Sequence, residues 1–291
     1  MAISIKEGFI DVTGGKIWYK IVGAEKSGTP LLAIHGGPGA PHNYLAPLEK
    51  LAEERPVIFY DQLGCGNSER PSDTALWKTD RFCEEIDLIR KELNLTRVHL
   101  MGQSWGVMLA VEYMLRNKPE GVESLVLSAP YLSTPLWGAD QQYWITKLPQ
   151  KYRDSIKKYE ALKDYSARGY LEAVDAFYKE HLCRTYPWPK PLMDSFEKMG
   201  TDVYLYMFGP SEFTITGTLK NVDLSGELCK IAIPVLFTCG EFDEARPETV
   251  RYFQSKVPGA KLHVFKGASH SHILESAEEY IFVVSEFLNG K

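Results

Sequence analysis

Polar and apolar residues alternate over 8–12 and again over 16–22, on either side of Thr13-Gly14-Gly15. Period two around a glycine turn predicts a β-hairpin. The next apolar stretches, 31–34 and 56–60, are short and unbroken and each stops at a glycine-rich loop, which predicts strands buried on both faces. Over 79–94 the spacing changes. Phe82, Ile86, Ile89 and Leu93 recur every three or four residues and predict an amphipathic helix. Then come an apolar run at 98–101, a glycine turn, a helical pattern over 107–115 and another strand at 122–127. Strands separated by helices predict an α/β fold with a mostly parallel central sheet flanked by helices.

The rhythm breaks at Ala129-Pro130. Helical patterns and proline-rich connectors follow, with no convincing buried strand. Tyr170, Leu171, Val174, Phe177 and Tyr178 share one helical face, and Tyr186-Pro187-Trp188-Pro189-Lys190-Pro191 is a rigid connector. Alternation then resumes with a strand at 235–238, a helix at 247–256, a strand at 262–265 and a last helix burying Tyr280, Ile281, Val284, Phe287 and Leu288. The expected organisation is an α/β core built from 1–130 and 229–291, interrupted by a helical cap domain, 131–228.

Composition narrows the function classes. The 291 residues are 44% hydrophobic and 24% charged, enough apolar material for a substantial core. A net charge of −5 with no basic stripe argues against nucleic acid as a partner. No stretch approaches the roughly 18 apolar residues of a membrane span, and the first residues have no apolar leader pattern, so no membrane is expected. The five cysteines are widely spaced without a Cys-x-x-Cys pair. They predict reduced thiols in a cytoplasmic protein, with neither a disulfide framework nor a zinc site.

Candidate chemistry gathers at the ends of the predicted strands. Gly102-Gln103-Ser104-Trp105-Gly106 fits G-x-S-x-G between a strand and a helix, the context of a nucleophile elbow. A serine hydroxyl is a weak nucleophile near neutral pH and needs a base, with a third group to orient that base. In an open α/β sheet the partners must sit on loops at the same carboxyl edge. The loop after 235–238 carries Gly240-Glu241-Phe242-Asp243-Glu244, and the loop after 262–265 carries Gly267-Ala268-Ser269-His270-Ser271-His272. The order Ser104, Asp243, His270 is that of a catalytic triad in this architecture. Glu241 and Glu244 are rivals for the acid, and His272 is the rival for the base. A His-x-His metal site lacks further ligands in the sequence. Two backbone N–H groups are candidates for an oxyanion hole: Trp105, just after the serine, and Gly37 in His35-Gly36-Gly37-Pro38-Gly39. That glycine loop lacks the lysine or the second glycine pair of a nucleotide cradle.

Taken with Asp61-Gln62-Leu63-Gly64-Cys65-Gly66-Asn67-Ser68, these motifs resemble the α/β-hydrolase fold and, more narrowly, the proline iminopeptidase family of serine exopeptidases. The resemblance runs in order through nearly the whole chain. It implies release of an N-terminal residue, often proline, from short peptides or aminoacyl amides, without metal or organic cofactor. It also implies that two glutamates hold the substrate's free amine, at positions matching Glu212 and Glu244. Two carboxylates are a sound counter-site for one buried ammonium. Trp137, Tyr204, Tyr206 and Phe208 are expected to wall a pocket for the first side chain. An amidase or esterase of broad specificity, or a non-catalytic ligand-binding relative, are the alternative readings; the oligomeric state is left open, a monomer included.

Overall fold

In the computed structural model, which describes residues 3–290, every predicted strand forms. The hairpin is β1 (Ile5–Val12) and β2 (Gly15–Val22), followed by β3 (Leu31–Ile34), β4 (Val57–Tyr60), β5 (Val98–Gln103), β6 (Val122–Ser128), β7 (Val235–Gly240) and β8 (Lys261–Phe265). They join one sheet in the order β1-β2-β4-β3-β5-β6-β7-β8. Strand β2 runs antiparallel to both its neighbours, and β4 through β8 pair parallel. Helices α1 (Thr79–Glu92) and α2 (Trp105–Arg116) flank β5. Between β6 and β7 lies the inserted helical region, with α3 (Thr134–Ile145), α4 (Gln150–Leu162), α5 (Arg168–His181), α6 (Lys190–Glu197) and α7 (Thr201–Met207). After β7 come α8 (Pro247–Lys256), the short α9 (His272–Glu275) and α10 (Ala277–Leu288).

The unbroken apolar strands are explained by two cores, because successive side chains leave a strand on opposite faces. Leu32, Ile34, Leu100, Leu125 and Leu127 pack with Phe82, Ile86 and Ile89 of α1 and Val107 and Val111 of α2. Their neighbours Leu31, Ala33, Met101, Val126 and Leu236 pack on the other face with Tyr280, Val284 and Leu288 of α10. Each fully buried Leu, Ile or Phe contributes about 1.5–3 kcal/mol, so both faces anchor the loops at the sheet's carboxyl edge.

Three details depart from the sequence reading. Residues His42–Glu53, unassigned by periodicity, form 3₁₀ turns that bury Tyr44, Leu45, Leu48 and Leu51, with Pro47 inside them; a proline there has no N–H to donate to a regular α-helix. Leu171, expected on the buried face of α5, is 53% exposed, and Ala173 packs inward with Tyr170 and Phe177. Tyr206 turns away from the expected pocket and meets Trp77 edge-on.

The inserted region is tied to the loops that carry the candidate chemistry. Trp144 of α3 donates its indole N–H to the carbonyl of Asp243 (2.8 Å), Gln141 donates to that of Glu244 (3.0 Å), and His270 N–H donates to the carbonyl of His181 (2.9 Å).

Candidate active site

Ser104 sits between β5 and α2 with φ 53° and ψ −119°, a conformation costly for any residue with a side chain. The flanking glycines are what permit it. A Cβ on Gly106 would lie 2.1 Å from the carbonyl oxygen of Ile34, and one on Gly102 would lie 2.4 Å from that of Gly106. Helix and strand therefore approach more closely than any other residues allow. Trp105 opens α2, so its N–H has no acceptor within the helix and points from the positive end of the helix dipole. Gly37 lines the same cleft as Ser104 at φ +110°, where a Cβ would strike the backbone nitrogen of Gly39 at 2.4 Å.

The structure separates the rival acids and bases. His270 Nδ1 and Asp243 Oδ1 are 2.7 Å apart, and His270 shares the cleft wall with Ser104. Asp243 is further fixed by the backbone N–H groups of Ala245 to Oδ1 (3.0 Å) and Gly240 to Oδ2 (3.1 Å). Burial alone would raise the Asp243 carboxyl, but the charge and hydrogen bond of His270, with His272 beyond, hold it down at about 2. Glu241 is exposed and accepts from the N–H of Gly267 (2.9 Å). His272 is fully buried in α9, with Nε2 3.0 Å from Thr238 Oγ1 and Nδ1 3.6 Å from Asp243 Oδ2. It braces the acid from behind and does not line the cleft. Among the described residues Ser104 Oγ forms no hydrogen bond; catalytic bonds of this kind commonly tighten only around the substrate.

The cleft has a volume of about 160 Å³, well below the roughly 300–1,000 Å³ of sites for drug-sized ligands. Glu212 lies on its wall and accepts a hydrogen bond from Tyr204 (2.7 Å). Burial pushes the Glu212 carboxyl up, against the pull of Tyr204 and His270. Glu244 lies beyond the wall, fully buried, with Oε2 3.7 Å from His270 Nε2 and, among the described residues, neither oxygen hydrogen-bonded. Of the expected pocket residues, Tyr204 lines the cleft, while Trp137 and Phe208 pack behind it with Tyr131, Trp137 edge-on to His270 at 5.7 Å.

Sequence reasoning missed the polar struts under the site. Gln62 accepts from the Trp105 indole N–H (2.9 Å), donates to the carbonyl of His35 (2.9 Å), and its backbone N–H donates to His35 Nε2 (2.9 Å). One amide thus ties together the loops after β3, β4 and β5. Tyr44 accepts the N–H of Gly36 (2.7 Å) and donates to Gln103 (2.7 Å), whose amide reaches the carbonyl of His270 (3.4 Å). Polar residues in loops that follow buried strands were the available signal, because a buried amide must find partners.

A strand-turn-helix serine at the carboxyl edge of a mostly parallel sheet, with an acid and a histidine on the loops after β7 and β8, defines the class. Residues 29–277 match the family model of the α/β-hydrolase fold. The chain is 45% identical to a proline iminopeptidase of Heyndrickxia coagulans over 285 residues, covering 98% of this chain and 99% of that one. Among solved structures, a proline iminopeptidase from Mycobacterium smegmatis superposes with a TM-score of 0.90 at 35% identity, and VinJ with 0.93 at 32%, each match covering 98% of both chains. The chain belongs to the proline iminopeptidase family of serine hydrolases. Among the described residues no helix is long and apolar enough to cross a membrane.

Proposed function

We propose that this protein is a serine exopeptidase that releases an N-terminal residue, proline or another small apolar amino acid, from short peptides or aminoacyl amides in the cytoplasm. The 2.7 Å contact between Asp243 and His270, beside a small cleft shared by Ser104 and Glu212, is the observation that carries the reading. The substrate enters beneath the inserted helical region, residues 131–228, which acts as the cap. Its ammonium lies at Glu212 and Glu244, and its first carbonyl oxygen faces the N–H groups of Gly37 and Trp105. His270 Nε2 takes the proton of Ser104 as Oγ attacks the carbonyl carbon. Asp243 keeps Nδ1 protonated and stabilises the imidazolium. The same proton passes to the leaving nitrogen, the C–N bond breaks, and an acyl-enzyme remains on Ser104. Water, deprotonated by His270, attacks the ester and frees the amino acid.

The volume of the cleft supports a single small residue, and the carboxylate of Glu212 on its wall supports an exopeptidase rather than an esterase of neutral substrates. The test is a panel of aminoacyl arylamides, each with a free and an acetylated amine. Free prolyl and alanyl substrates are expected to turn over at least about 100-fold faster than their acetylated forms, the worth of one to two charge-assisted hydrogen bonds. Equal rates on both forms would overturn the assignment of Glu212 and Glu244.

A further inference from the structure

Glu244 stands closer to the general base than an amine anchor requires. Its carboxylate is fully buried, without a hydrogen-bond partner among the described residues, and Oε2 lies 3.7 Å from His270 Nε2. That nitrogen is the one left free by Asp243, which engages Nδ1, and it must accept the serine proton. Among the described residues that line the cleft there is no lysine or arginine, so a protonated His270 is the counter-charge the carboxylates have.

We propose that the buried carboxylate of Glu244, 3.7 Å from Nε2, keeps His270 protonated until a substrate ammonium enters between Glu244 and Glu212, so that the free amine unlocks the general base as well as anchoring the substrate. The inference rests on the amine-anchoring reading given above. It adds that selection for a free amine acts in the chemical step and not in binding alone.

The groups facing His270 come from four elements. Asp243 and Glu244 lie on the loop after β7, and Glu212 lies on the segment after α7. His272 of α9 stands behind Asp243, and His181 of α5 offers its carbonyl to the His270 N–H while its ring is bonded to the carbonyl of Phe242. Burial would lower His270, but the charges of Asp243 and Glu244, the hydrogen bond to Asp243 and the charge of Glu212 outweigh it and raise the imidazole to about 9. Burial, then the charges of Glu212 and Asp243, push Glu244 well above the usual carboxylate range, against the pull of His270. Of the pair the imidazole is the stronger base, so the proton sits on Nε2, held by the charge of Glu244 at 3.7 Å without a hydrogen bond, and occupies the lone pair that catalysis needs. An arriving ammonium supplies the counter-charge, and the held proton leaves to solvent, so one positive charge enters and one departs. With His270 at about 9, only about 1% of it is neutral at pH 7, against about three quarters at an ordinary imidazole value.

A neutral fluorophosphonate reads the state of the base without an ammonium. In the wild-type protein its rate of reaction with Ser104 is expected to rise with pH to a midpoint near 9, while kcat for a prolyl arylamide shows a midpoint at least one unit lower. In Glu244→Gln the fluorophosphonate midpoint should fall by a unit or more. Hydrolysis of the nitrophenyl ester of N-acetylproline at pH 7 should then rise about 3- to 10-fold, since weaker basicity offsets part of the gain, even as turnover of the prolyl arylamide falls. A wild-type fluorophosphonate midpoint near 6.5, or a variant with both midpoint and ester rate unmoved, would overturn the lock. Loss of arylamide turnover in that variant would still leave the anchoring reading intact. Unchanged arylamide kcat and KM in Glu244→Gln would instead overturn the anchoring reading itself.

Discussion

Replacing Tyr204 by Phe removes one hydroxyl from the amine end of the cleft and little else. The ring is 7% exposed and lies at 25° to that of Phe208, with centroids 5.5 Å apart, so a phenyl group keeps its place. The hydroxyl donates to Glu212 Oε1 at 2.7 Å. Burial keeps the phenol protonated, with the charges of Glu212 and Tyr178 adding to the effect, so it remains a donor. A hydrogen bond to a charged acceptor contributes about 1.5–3 kcal/mol. At about 1.4 kcal/mol per factor of ten, its loss should lower kcat/KM for a free prolyl arylamide about 10- to 150-fold. Hydrolysis of an N-acetylated ester, which has no ammonium to present to Glu212, should change less than about threefold by the same arithmetic. The assay is kcat/KM on both substrates for both proteins, with circular dichroism to show matched folding. An undiminished kcat/KM on the free amine, or an equal fall on both substrates, would refute the role given to Glu212 and its tyrosine.

Two further outcomes follow from the geometry. Asp243→Asn places an amide where Oδ1 and Oδ2 now accept from His270 and two backbone N–H groups; it should lower kcat by on the order of 10⁴ by favouring the wrong tautomer, and a loss below about tenfold in steady-state assays would contradict the orienting role. Burial depresses His35 and His99 to about 4, so the unfolded chain takes up their protons first. Their contribution to stability is whole above about pH 6.5 and is lost as pH falls towards 4, at most about 3 kcal/mol each. Urea midpoints at pH 7 and pH 4.5 should therefore differ clearly, and His35→Gln should lessen the difference; equal midpoints in the wild-type protein would refute the burial argument.

The elements legible in the sequence were those whose pattern has one physical cause. Strands 31–34 and 98–101 read as apolar runs because both their faces are covered, and α10 read from its spacing because Tyr280, Val284 and Leu288 meet one core. The glycine pattern around Ser104 was legible because the elbow tolerates no Cβ at Gly102 or Gly106. His42–Glu53 was not, since Pro47 interrupts the helical signal while tertiary packing still buries Tyr44 and Leu48. Leu171 misled because hydrophobicity does not say which side of an apolar stripe faces inward. Asp243 was preferred over Glu241 and Glu244 for its place after the glycine turn, while the distances of the three acids from His270 depend on where the loop aims them, which spacing alone does not give. The struts made by Gln62, Tyr44 and Gln103 were hidden for a related reason: their partners, side-chain and backbone groups alike, lie on other loops.

The most direct test of the central claim is protection of the serine. The protein is treated with a fluorophosphonate at pH 8, alone, with excess L-prolinamide, or with excess N-acetyl-L-prolinamide, and the adduct is located by peptide mass mapping. The expected result is a single adduct on Ser104, suppressed by prolinamide and untouched by its acetylated form. An adduct on another residue, or equal protection by both amides, would contradict a serine that works beside an amine-binding pair of carboxylates.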